Sequence, residues 1–191
     1  FNLITKKIDA VRRCSSEDHE CEKISIEKLK HFVSKEAFNI DGLGKKIVEN
    51  FWKIKLIKLP QDIFKLDFEK IESLEGWGKQ SVENLKYSIN QKKNISLEKF
   101  IYALGIRHIG LENAKLLSKY FKSVSKFILI SKDKKYSELL DIDGIGETQI
   151  NSVKNFFSNK VNLDVLNDLL KILNIKNVLI GKKNGLLKNQ T

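Results

Sequence analysis

From Ser25 onward, apolar residues recur every three or four positions, the spacing that turns one side of an α-helix toward a core. Ile26, Leu29, Phe32 and Val33 form the first such stripe, with Ser25 placed as its N-cap. Ile47, Val48, Phe51 and Trp52 form a second, ended before Pro60. Residues 61–66 and 68–74 predict two short helices, and Val82, Leu85, Tyr87 and Ile89 mark a longer one. Ser96 is placed to cap a helix facing inward through Leu97, Phe100, Ile101 and Leu104. Ala114, Leu116, Leu117 and Phe121 continue the pattern, followed by short helices at 124–130 and 136–140. Ile150, Val153, Phe156 and Phe157 predict the next helix, and Val161, Val165, Leu166, Leu169, Leu170 and Leu173 the last. Aromatic residues in these stripes, Trp52, Trp77 and Phe100 among them, are expected in the core rather than as binding platforms. Almost nothing after residue 25 alternates with the period of a strand. The prediction is an all-α body over 25–174, preceded by an irregular stretch over 1–24 with short strands at 1–4 and 7–11. Residues 175–191 are expected to be a linker, with 174–191 reading as linker or tail.

Between the helices the chain repeats itself. Ile40-Asp41-Gly42-Leu43-Gly44-Lys45-Lys46 returns as Leu74-Glu75-Gly76-Trp77-Gly78-Lys79 and as Ile142-Asp143-Gly144-Ile145-Gly146. A weaker copy, Arg107-His108-Ile109-Gly110, keeps the second glycine and carries histidine in place of the first. The second glycines are 34, 32 and 36 residues apart, and an apolar residue stands four positions beyond each: Val48, Val82, Ala114 and Ile150. A fixed period of this size means a repeated supersecondary unit. Glycine permits backbone angles that a β-carbon disfavours, and it lets another molecule approach the chain closely. The amides beyond each turn are unpaired N–H groups at the positive end of a helix dipole, an arrangement that binds anions and above all phosphate. One such turn alone is best read as a plain helix–helix connection. Four in series favour the phosphate reading.

Composition adds a second, weaker pointer. The formal charge is +11 with a pI of about 9.5, which favours a polyanionic partner. Nearly all the basic residues are lysines, with Arg12, Arg13 and Arg107 the exceptions, so a bias toward Lys, Ile and Asn accounts for part of that charge. There is no stretch of 18 uninterrupted apolar residues and so no transmembrane helix is expected. No signal peptide is legible at the start, and the cytoplasm is the expected compartment. Without an initiator Met, the chain reads as a piece of a longer protein. Cys14 and Cys21, with six residues between them, are two free thiols or half of a four-cysteine zinc site; His19 and His31 are poorly spaced to complete it.

Arg13-Cys14 and Cys21, the run from Leu29 through Ala37-Phe38-Asn39-Ile40-Asp41-Gly42-Leu43-Gly44, and Phe100-Ile101-Tyr102-Ala103-Leu104-Gly105-Ile106-Arg107-His108-Ile109-Gly110 together resemble bacterial NAD-dependent DNA ligase. The resemblance covers roughly residues 12–175 in one register. It implies the end of a four-cysteine zinc finger, a domain of four helix-hairpin-helix repeats paired as two pseudo-two-fold units, and the lead-in to a BRCT domain. In that family the repeats grip nicked duplex DNA through the minor groove, without reading its sequence, while the enzyme seals nicks in replication and repair. NAD, magnesium or manganese, and zinc are the cofactors implied for the longer protein, and none is required by this part of it. A bacterial, nucleoid-associated location follows.

The resemblance carries over residue by residue. Gly42, Gly44, Gly76, Gly78, Gly110, Gly144 and Gly146 shape the turns. The amides of Lys45 and Lys46, Lys79 and Gln80, Leu111 and Glu112, and Glu147 and Thr148 point at phosphates. The side chains of Lys45, Lys46, Lys79, Ser81, Thr148 and Gln149 add contacts and, with the Gln80 amide, complete the DNA-binding set, while Glu112 and Glu147 oppose a phosphate. Cys14 and Cys21 match the second zinc pair, one residue wider than the family's usual spacing. The family's adenylated lysine has no counterpart: Asn39 and Asp141 stand where it would precede Asp-Gly, so no catalytic residue is expected here. Surfaces that meet the rest of such an enzyme would be bare in this piece, which leaves it open to forming a homodimer. Two rival readings remain: a scaffold that binds other proteins, and a DNA glycosylase/lyase using Lys46 with Asp62 or Asp67.

Overall fold

The computed structural model describes residues 21–178, together with the backbone of two short strands before them. These are β1 (Leu3–Ile4) and β2 (Arg13–Cys14), paired antiparallel with Leu3 opposite Cys14. β1 falls in the stretch expected as a strand, whereas 7–11 lies outside the described residues. So does 179–191, most of the expected linker.

The body is helical, as the periodicity predicts. α1 (Glu22–Val33) and α2 (Lys45–Lys53) flank the first turn, and α3 (Phe68–Glu72) and α4 (Lys79–Gln91) the second. α5 (Leu97–Ala103) and α6 (Leu111–Phe121) flank the third. After α7 (Val124–Asp133), a 3-10 helix (Tyr136–Asp141) and α8 (Glu147–Ser158) flank the fourth, and α9 (Lys160–Ile172) follows. A further 3-10 helix (Pro60–Lys65) begins at the single proline, whose missing N–H costs nothing at a helix start.

The buried apolar side chains of the described residues form one cluster reaching from Leu29 to Leu173. Phe32 stacks on Phe38 at 4.2 Å between ring centres, while Phe127 lies 5.4 Å from Phe121 and 5.3 Å from Phe157. Phe100 is fully buried, and Trp52 and Trp77 pack half-buried against the cluster, so these aromatics are core as expected. Tyr87 is not: it is 68% exposed, because α4 turns Val82, Leu85 and Ile89 inward and residue 87 falls on the opposite side.

Three local expectations are corrected. α1 starts at Glu22, not after Ser25, whose N–H bonds to the Cys21 carbonyl at 3.0 Å inside the helix. The intervening Glu-Lys-Ile accepts helix without strain, so an upstream start wins. Ser96 does sit at the N-cap of α5, but its hydroxyl makes no cap bond. Finally, β3 (Asn94–Ser96) and β4 (Asn174–Lys176) pair in parallel, Ile95 opposite Ile175, and Val178 N–H reaches the Lys122 carbonyl at 2.9 Å. The ordered body therefore runs past 174 into the expected linker. Three-residue strands drawn together from positions 80 residues apart leave no alternation to read.

α1 and α2 are tied by Lys30, whose ammonium lies 2.6 Å from Glu27 on its own helix and 2.6 Å from Glu49 on α2. Hydrogen bonds that Lys30 donates to Glu27 and then to Glu49 hold it above the ordinary lysine range, and Lys30 holds the Glu49 carboxyl below the ordinary glutamate range. A depressed carboxyl stabilises the fold above its unfolded-state value and loses that contribution as pH falls through its folded one. Glu49→Gln is therefore expected to lower the thermal midpoint at pH 7, with the difference shrinking as pH falls below the ordinary glutamate range and through the depressed folded-state value. An equal deficit at pH 7 and pH 3 contradicts this.

Candidate nucleic-acid interface

All four turns are built by the same hydrogen bond. Leu43 N–H donates to the Ile40 carbonyl (3.3 Å), Trp77 to Leu74 (3.1 Å), Ile109 to Ile106 (3.0 Å) and Ile145 to Ile142 (3.0 Å). In each the third residue has positive φ, as a type II turn requires: Gly42 at 90°, Gly76 at 82°, His108 at 61° and Gly144 at 90°. The histidine of the weak copy thus takes the glycine's backbone conformation, and Asn113 Nδ2 donates to its carbonyl at 3.0 Å. A non-glycine residue there costs about 1–2 kcal/mol, against about 0.4–1 kcal/mol of extra chain entropy released by glycine on unfolding. His108→Gly is therefore expected to raise stability by roughly 0.5 kcal/mol, read from denaturant midpoints. A loss shows that the histidine ring holds the turn.

The second glycines do a different job. Gly44, Gly78, Gly110 and Gly146 are the N-caps of α2, α4, α6 and α8, all with extended backbone. The first helical bonds run from Val48 to the Gly44 carbonyl (3.0 Å), Val82 to Gly78 (3.1 Å), Ala114 to Gly110 (2.9 Å) and Ile150 to Gly146 (3.1 Å). The amides of the intervening residues, Lys45 and Lys46 among them, precede the hydrogen-bonded part of the helix. No side chain caps α2, α4 or α6. Three other helices do carry a side-chain cap, Asp67 accepting from Lys70 N–H, Ser123 from Lys126 and Asn159 from Asn162, while α1 and α5 begin at Cys21 and Ser96 without one. A β-carbon added at Gly44, Gly78 or Gly110 meets no atom within 4 Å. Three helix starts are thus left bare and face open space.

The fourth is closed on itself. Gln149 Oε1 accepts the Gly146 N–H at 3.2 Å, so this expected phosphate-contacting side chain lies over its own helix end. Lys45, Lys46, Lys79, Gln80, Ser81 and Thr148 are exposed beside their turns, Gln80 donating to Asn84 Oδ1 at 3.0 Å. Glu112, at the start of α6, is partly neutralised by Lys115 at 2.7 Å, and this contact holds the Lys115 ammonium above its ordinary range.

The turns come together in pairs. Asp41 N–H donates to Ser88 Oγ of α4 (2.9 Å), and Gly42 lies against Leu85 of the same helix. The first two turns line one cleft through Gly42, Gly76, Trp77 and Ser81. Gly144 of the fourth turn abuts Leu116 of α6, beyond the third. One residue that the sequence reading left out is Arg107; its signal is that Asp41, Glu75 and Asp143 occupy the same place in the other turns.

Two other candidates find no site. Cys21 is buried at the start of α1, the Cys14 side chain lies outside the described residues, and among those residues no three His, Cys, Asp or Glu gather as metal ligands. The described residues therefore do not by themselves make a zinc site. Asp62 accepts the Lys58 and Leu59 N–H groups at 2.9 and 2.8 Å, and Asp67 the Lys70 N–H at 3.1 Å. Both aspartates considered for a lyase are helix caps. No helix among the described residues is long and apolar enough to cross a membrane.

Residues 99–166, the third and fourth turns, match the family model of the helix-hairpin-helix motif. The whole chain is 64% identical to part of the DNA ligase of Pelagibacter ubique. Over 94% and 95% of its length it is 41% and 42% identical to the DNA ligases of Rickettsia canadensis and Wolbachia pipientis. It spans 28% of the length of each of these relatives. The resemblance to DNA ligase carried by its turn motifs thus holds, and the chain is the counterpart of one helix-hairpin-helix segment of those enzymes.

Proposed function

We propose that the chain holds duplex DNA for a DNA ligase, placing backbone phosphates at the bare starts of α2, α4 and α6. The observation that carries this is that each of those three uncapped helix ends is fronted by a glycine where an added β-carbon would meet no atom within 4 Å, unlike the side-chain-capped ends of α3, α7 and α9. Amide N–H groups and a helix dipole recognise phosphate but read no base, so binding is independent of sequence. Paired turns suit the two strands bordering a minor groove, and the partner is nicked duplex DNA. Lys45, Lys46 and Lys79 add charge at the first pair.

The longer enzyme is proposed to be NAD-dependent, to work in the cytoplasm at the nucleoid, and to act in replication and repair. Its NAD, magnesium or manganese, and zinc belong to other parts of that protein or to residues 1–24. Nucleotidyl transfer is not assigned to this chain, since Asn39 and Asp141 stand where an adenylated lysine would be.

Fluorescence anisotropy on nicked and intact duplex, over a salt series, tests the proposal. With roughly four phosphates neutralised, the slope of log K against log salt is expected near −3 to −4, alike for unrelated sequences. A chain that folds but binds no duplex at low salt favours the scaffold reading instead.

A further inference from the structure

The third turn differs in charge from the other three. Where they carry Asp41, Glu75 and Asp143 after the first apolar residue, it carries Arg107; where the first two have lysine at the helix start, it has Leu111 and Glu112. Arg107 is held at the rim by its neighbours, since Ile106 and Ile109 are buried and the turn bond joins them. Its side chain is exposed and makes no ion pair or hydrogen bond among the described residues.

Arg107 lies on the wall of a polar cleft between the third turn, α1 and the α8–α9 junction. Lys28 lines it from α1, Lys160 from the start of α9, and Ser152, Asn155 and Asn159 from between. Among the described residues, no carboxylate lines this cleft. Lys160, like Arg107, has no ion pair among the described residues. Arg107 and Lys160, on separate elements and facing a polar hollow whose described lining residues include no carboxylate, together recruit an anion. The planar fork of an arginine is shaped for two phosphate oxygens at once.

We infer that Arg107 and Lys160 take a further backbone phosphate of the DNA strand gripped at the third turn, so that this turn binds through its cationic cleft as well as its amides. The inference rests on the DNA-holding reading. It explains how a turn with histidine for glycine and glutamate at its helix start remains a working contact. It also extends the footprint from the third turn toward α9.

The test uses the whole chain and a nicked duplex in the anisotropy salt series. Arg107→Gln and Lys160→Gln are each expected to weaken binding severalfold at low salt and to reduce the salt slope by about one, with thermal midpoints unchanged. Arg107→Lys is expected to keep the slope and lose affinity, because one point charge replaces a two-oxygen fork. Wild-type slope and affinity in the Arg107→Gln/Lys160→Gln chain, in a protein whose binding still depends on Gly44 and Gly78, overturn this inference alone. Failure of the wild-type chain to bind duplex overturns it together with the reading beneath it.

Discussion

Gly144→Ala is expected to destabilise the protein by about 2–3 kcal/mol, the largest stability effect of any single methyl group added at the turns. Gly144 has a φ of 90°, where an L residue is strained by about 1–2 kcal/mol, and a β-carbon there would stand 3.0 Å from Leu116 Cδ1. Leu116 is a half-buried residue packed against the core, so it has limited room to retreat. Gly42→Ala follows closely, with the same φ of 90° and a 3.3 Å approach to Leu85, which is buried. Gly76→Ala bears the backbone cost alone, about 1 kcal/mol, because at φ 82° its β-carbon meets nothing within 4 Å. In a chain of this size each kcal/mol moves the midpoint by about 2–4 °C, so thermal unfolding resolves the order Gly144, Gly42, Gly76. Three equal deficits show that backbone strain alone decides and that the pairing of turns against α4 and α6 contributes nothing.

The second glycines behave in the opposite way. Gly44→Val/Gly78→Val is expected to lower duplex affinity by more than tenfold while the chain stays folded. The φ values of −65° and −109° suit any L residue, and the space before both glycines is empty, so nothing within the protein resists a larger side chain. Valine is a poorer N-cap than glycine, at a cost on the order of 1 kcal/mol per site. A branched side chain at that point nevertheless stands where a phosphate must approach the Lys45–Lys46 and Lys79–Gln80 amides. Anisotropy and circular dichroism on the same sample separate the two effects. Unchanged affinity in the folded double variant rules out close backbone approach at the first pair of turns.

These opposed roles explain how much of the interface was legible before the structure. Gly-x-Gly is a local signal: one glycine sets a backbone angle, the next fronts a helix, and repetition fixes the frame. Even the degenerate third copy kept the glycine that faces outward and replaced the one whose conformation a histidine can adopt at modest cost. What the sequence concealed depends on contacts between distant residues. Nothing in Asn94-Ile95-Ser96 announces a pairing with Asn174-Ile175-Lys176, 80 positions on. Gln149 was expected to reach outward, yet the same helix-start geometry that attracts a phosphate also attracts its amide oxygen. The burial of Ser25 and the exposure of Tyr87 follow from where α1 begins and how α4 is rotated, neither of which periodicity fixes to the residue. Arg107 was legible in the alignment of the four turns, but its meaning required the cleft beside it.

The central claim is that bare helix-start amides, rather than lysine charge in general, hold the DNA. Backbone amide chemical shifts, recorded by 15N–1H correlation spectra while a short nicked duplex is added, test it most directly. The amides of Lys45 and Lys46, Lys79 and Gln80, and Leu111 and Glu112 are expected to move most and downfield, as new hydrogen bonds to phosphate form. Those at the capped starts of α3, α7 and α9 stay in place. Shifts spread over lysine-bearing helix faces, with the six turn amides unmoved, contradict the account.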